Sequence, residues 1–108
     1  MIMTHRATLT LAGADGSAEG ATSFPRPING LVRGVHIAYP AGANAATDVT
    51  LTSRNPAQSI VAATGNTSGW LYPTTTTDKL LYAVDEMVDV AGEDGNAGVI
   101  KITLLVEV

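Results

Sequence analysis

The chain of 108 residues contains no cysteine, which removes disulfide cross-links, thiolate nucleophiles and sulfur-ligated metal sites together. Redox compartment stays open, because disulfide-free domains occur inside and outside cells. Charge is also scarce: 15% of residues are Asp, Glu, Lys or Arg, against roughly a quarter in an average domain. The six basic residues, Arg6, Arg26, Arg33, Arg54, Lys79 and Lys101, are scattered, and the formal net charge is −4. Without a concentrated positive footprint, nucleic acid is not an expected partner. No apolar run approaches the roughly 18 residues of a membrane-spanning helix, so no membrane partner is expected either. The opening Met1-Ile2-Met3-Thr4-His5-Arg6 turns polar at once, and no secretory signal is expected there. Aromatic residues make up only 5% of the chain, with a single tryptophan and a single phenylalanine.

What is present suffices for one core. Hydrophobic residues are 45% of the total, and low charge with this apolar content excludes disorder as the resting state. A chain of this length makes one domain, with residues 1–24 read as weak strands or an arm and 25–108 as the main body. Its surface, dominated by Gly, Thr, Ser, Asn and Ala, suits packing against other protein.

Short alternating segments punctuated by Gly, Pro and Asn recur along the chain, the pattern of an all-β, antiparallel sandwich or jelly-roll-like fold. Residues 6–11 place Ala7, Leu9 and Leu11 on one face and Thr8 and Thr10 on the other. After the Asp15-Gly16 turn, residues 18–24 are extended but weakly hydrophobic, and the run Phe24-Pro25-Arg26-Pro27 halts any ladder. Residues 31–39 form a strand apolar on nearly both faces, with Leu31, Val35, Ile37 and Tyr39 assigned to one and Val32, Gly34, His36 and Ala38 to the other. That pattern suits a central strand or one covered from outside the domain, and with the sparse charge it suggests a homo-oligomer. Residues 48–52 alternate cleanly with Val49 and Leu51 inward, and Asn55-Pro56 turns the chain into a strand around Ile60 and Val61. Trp70-Leu71-Tyr72-Pro73 is the densest aromatic site. The threonine tract 74–77 disfavours helix. Residues 78–91 are read as extended in preference to a helix capped by Asp78. The strongest alternation, over 99–108, follows a Gly-rich loop at 92–98, so a hairpin over 86–107 is expected.

Catalytic chemistry is hard to assemble. His5 and His36 are the only side chains that titrate near neutral pH, and no nucleophile-elbow spacing surrounds them. His36 reads as a packed or interface residue, with a hydrolase using His36 and a neighbouring acid as the enzymatic rival. Glu93, Asp94 and Asn96 could offer oxygens to calcium, but the EF-hand order is absent and these are ordinary turn residues. No phosphate-binding glycine motif occurs, and neither metal nor cofactor is implied. The chain reads as no enzyme. Trp70 and Tyr72, two residues apart on an extended segment, share a side and could stack a sugar, or they could plug a core or a subunit interface. Exposure decides between these, since a platform must be wet.

The order of segments over residues 29–106, with the strand Asn29-Gly30-Leu31-Val32-Arg33-Gly34-Val35-His36-Ile37, then Asp48-Val49-Thr50-Leu51-Thr52, then Tyr72-Pro73, then Gly98-Val99-Ile100-Lys101-Ile102, resembles small virion structural proteins of tailed bacteriophages, most of all capsid decoration, or cement, proteins. A basic residue expected after the proline is Thr74 here. The resemblance implies a trimeric β-sandwich or jelly roll, made in the host cytoplasm and seated on the capsid surface, with the major capsid protein as partner. Its work would be to favour the assembled lattice by binding only that state. The interface candidates on this reading are Phe24, Arg26, Arg33, His36, Trp70 and Tyr72. A carbohydrate-binding or adhesin-like module using Trp70 and Tyr72 is the alternative.

Overall fold

Period-two alternation carries through into strands along the described residues. The computed structural model describes residues 1–54, 57–72 and 82–108. Its strands are β1 (Ile2–Leu11), β2 (Ala18–Ser23), β3 (Ile28–Ala38), β4 (Asp48–Arg54), β5 (Ala57–Thr64), β6 (Gly69–Leu71), β7 (Tyr82–Glu86), β8 (Val88–Gly95) and β9 (Gly98–Glu107). There is no helix among the described residues. One sheet runs β1-β9-β3-β6 with β7 also pairing β3, and the other runs β2-β8-β4-β5. Every pairing is antiparallel. The expected all-β sandwich is therefore the observed architecture. The Cα radius of gyration is 13.2 Å, that of a compact domain of this length.

The core lies between the sheets. From the first come Ala7, Leu9 and Leu11 of β1, Ile28, Val32, Val35 and Ile37 of β3, and Ile100, Ile102, Leu104 and Val106 of β9; from the second come Val49, Leu51, Ile60, Val61, Val88 and Val90, all buried. Each fully buried side chain of this kind contributes about 1.5–3 kcal/mol relative to exposure. Ile60 and Val61 are both buried although adjacent, because the β4–β5 register slips between Leu51 and Thr52.

Residues 1–24 lie within this sandwich. All ten residues of β1 are in register with β9, from Ile2 opposite Glu107 to Leu11 opposite Gly98. Mutual backbone bonds between Met1 and Val108 close the end of that ladder. β2 pairs β8, and Ala18 and Phe24 are fully buried.

Two expectations need correcting. The faces of β3 are not as simple alternation assigned them: Val32 points inward with Val35 and Ile37. A bulge between Val32 and Gly34 inserts one residue and inverts the pattern before it, so Leu31 and Val32 exchange faces. The hairpin over 86–107 does not form. Although β8 and β9 are separated by only two residues, β8 belongs to the second sheet and β9 to the first, so the chain arches from one layer to the other. Asn96 holds the arch: its Oδ1 accepts from the Gly16 amide at 3.0 Å and from Asn44 Nδ2 at 3.3 Å, and its Nδ2 donates to the Gly42 carbonyl at 3.0 Å. The extended reading of 78–91 holds where the structure describes it, in β7 and β8. The Asn55-Pro56 turn, the threonine tract 74–77, and residues 78–81 lie outside the described residues.

Candidate functional site

Register places the site. On β6, Trp70 stands opposite His36 of β3; His36 stands opposite Thr103 of β9; Thr103 stands opposite Arg6 of β1. Cross-strand partners share a face, so these four side chains form one row across the outer side of the first sheet, spanning about 14 Å at the usual strand spacing. The adjacent rows hold Gly34, Leu105 and Thr4 on one side and Ala38, Lys101 and Thr8 on the other.

The aromatic end of the row is exposed. Trp70 is 43% and Tyr72 65% accessible. Their ring planes are 17° apart with centroids 6.5 Å from one another, and the His36 ring meets Trp70 edge-on at 5.0 Å and 64°. Both rings lie over Gly34. A Cβ built there would sit 3.4 Å from Trp70 Cε3 and from Tyr72 Cε1, so a side chain larger than alanine would lift the pair off the sheet. These aromatics do not plug the core of their own chain, and Phe24 fills that place instead.

Electrostatics divide the two outer faces. On the first sheet Arg33 donates to Glu107 at 2.9 Å, which holds the Glu107 carboxyl below its usual range. Arg6 and Lys101 are exposed and form no ion pair among the described residues. On the second sheet, Asp48 of β4 stands opposite Glu93 of β8, with Asp94 beside them and Glu19 on β2. A hydrogen bond with Asp48, then desolvation and the charges of Asp48 and Glu19, raise the Asp94 carboxyl above its ordinary value. At the other end of that face, Arg54 Nη2 and Ser23 Oγ both donate to Asp89 Oδ1, at 2.6 and 2.7 Å, and lower the Asp89 carboxyl. A cleft of about 380 Å³ opens between the β5–β6 connection and the first sheet, lined by Tyr39, Ala63, Asn66, Trp70 and Leu71 among others.

Of the six interface candidates, His36, Trp70 and Tyr72 come together. Arg33 is on the same sheet but neutralised by Glu107. Arg26 is exposed in the β2–β3 connection; partial burial of the His5 ring, and next the Arg26 charge, lower the His5 pKa. Phe24 is a correction: it is fully buried and cannot meet a partner, because its amide donates to the Val88 carbonyl and this turns its ring between the sheets. His36 makes no hydrogen bond to a carboxylate among the described residues. Arg6, Lys101, Gly34 and Leu105 were missed by sequence reading. They join the aromatics only through pairing of β1, β9 and β3, which no local pattern reports.

No sequence-family model and no curated protein matches the chain. A solved structure titled "Crystal Structure of FLHE" is similar in fold, with a TM-score of 0.56 and 15% identity, covering 99% of this chain and 98% of that one. The expected capsid decoration role is corrected by this finding: the structure that matches from end to end is FLHE and not a decoration protein, and at this identity the match carries the fold alone. The trimer and the capsid partner rested on the same resemblance, and a match of fold alone does not bear on either.

Proposed function

We propose that this chain is a non-catalytic binding domain that recognises another protein through the outer face of its first sheet. The observation that carries the reading is the Trp70–Tyr72 pair, stacked over Gly34 and open to solvent, in line with His36 and Arg6. Tryptophan, tyrosine and arginine are the residues that dominate protein interfaces, because large rings bury much area at little entropic cost and a guanidinium adds directional bonds. In a chain this poor in aromatics, leaving two rings together on one open sheet face is costly unless something covers them.

Site-specific photo-crosslinking tests the reading. A benzophenone amino acid at position 72 is expected to give protein adducts in cells that make the chain, while the same group at Asp15, exposed in the β1–β2 turn, gives few. Equal yields, or more from position 15, would remove the first sheet's outer face as the recognition surface.

A further inference from the structure

We infer that the protein seated on this face is a second copy of the chain, docked by the outer face of its second sheet. The inference rests on the reading above and names the partner. The first sheet presents protruding rings, Trp70 and Tyr72, and on the same face Lys101 and Arg6, two and three strands away from β6 and without an ion pair among the described residues. The second sheet presents the inverse. Ala21 pairs Ala91 across β2 and β8 on the outer side, and with the backbone of Gly20 and Gly92, where a side chain would point inward at Thr10, Leu9 and Leu11, they floor a trough of about 430 Å³ walled by Glu19 and Glu93.

Shape and charge agree. Large rings need a recess, and an outer floor of two alanines and bare backbone provides one. The two cations on the ring-bearing face call for acids on the opposing face, where Glu19 and Glu93 flank the recess and form no ion pair among the described residues. The overall charge of −4 would keep like faces of two copies apart, whereas cationic face to acidic face relieves the repulsion. Because the surfaces lie on opposite sides of the sandwich, the contact is head-to-tail: each copy still offers one free surface of each kind, and the product is a ring or an open row rather than a two-fold dimer.

Sedimentation velocity of the purified chain tests this. At low salt the species should grow from 11.1 kDa with concentration, and salt near half molar should restore the monomer, since exposed charges are screened beyond a few ångströms there. The double variant R6E/K101E and the double variant E19K/E93K should each need at least about tenfold more protein to associate. An equimolar mixture of the two should associate again, because each reversed face finds its complement on the other variant. All four positions are exposed, so circular dichroism should show both variants folded. A monomer at every concentration and salt, undiminished association of either variant, or a mixture that stays monomeric would overturn the inference. The recognition face itself would survive such a result if position 72 still crosslinks to a different protein, and would fall with it if position 72 gives no preferential adduct.

Discussion

Phe24 is the chain's one phenylalanine and, among the described residues, the largest fully buried side chain. It follows β2 and enters the core just before the Pro25-Arg26-Pro27 connection. Phe24→Ala should cost about 3–5 kcal/mol, the range for deleting a buried phenyl ring. That is a large part of the roughly 5–15 kcal/mol available to a small domain. A chemical-denaturation midpoint nearly unchanged in Phe24→Ala would show that the ring is not in the core. Asp94 acts in the opposite direction. It stands at φ +56° beside Asp48, a backbone region that Asn tolerates, and its carboxyl is raised in the folded state. A raised carboxyl contributes stability below its unfolded pKa and loses that contribution as pH rises through the folded value. Asp94→Asn should therefore melt higher than the native chain at neutral pH, with the difference vanishing near about pH 3, where Asp94 is protonated. A lower melting temperature at neutral pH would contradict this. At this scale the sequence was legible in part: alternation identified Leu9, Val49, Leu51 and Ile102 as inward, but a lone Phe beside two prolines gave no period from which to infer burial.

Among elements, the arch between β8 and β9 decides the topology. Its loop has the Gly, Asp and Asn of a hairpin, and both flanking strands alternate strongly, so local chemistry fits a hairpin and an arch equally well. What selects the arch is tertiary: β1 and β3 take both edges of β9, while β2 and β4 take both edges of β8. A strand's alternation reports which residues face inward, not which sheet it joins. The β3 bulge was illegible for a related reason, since Arg33-Gly34 reads as one more alternation until Leu105 stands opposite the pair. Asn96 secures the arch through its three hydrogen bonds to Gly16, Asn44 and Gly42. Asn96→Ala should lower stability by about 1–3 kcal/mol, because Asn44 and Gly42 lose their partner on the arch, while the Gly16 amide keeps the Gly95 carbonyl at 2.9 Å. An unchanged chemical-denaturation midpoint would mean the arch is held by the strands alone.

For the whole molecule, the sandwich sorts a weakly charged sequence into two unlike faces. Residues far apart in the chain, Arg6, His36, Trp70 and Lys101, reach one surface, and Glu19, Asp48 and Glu93 reach the other. Composition alone showed only scattered charge, because sidedness belongs to the pairing. The central claim is that Trp70 belongs to an open recognition face that a partner covers. Trp70 is the chain's single tryptophan, so its emission reports that face and nothing else. Acrylamide quenching of this emission tests the claim most directly: in dilute protein at high salt, efficient quenching with emission shifted to the red is expected, and in concentrated protein at low salt the quenching should fall. A tryptophan shielded in the dilute monomer would mean that Trp70 is buried in its own fold, and the recognition face would not exist.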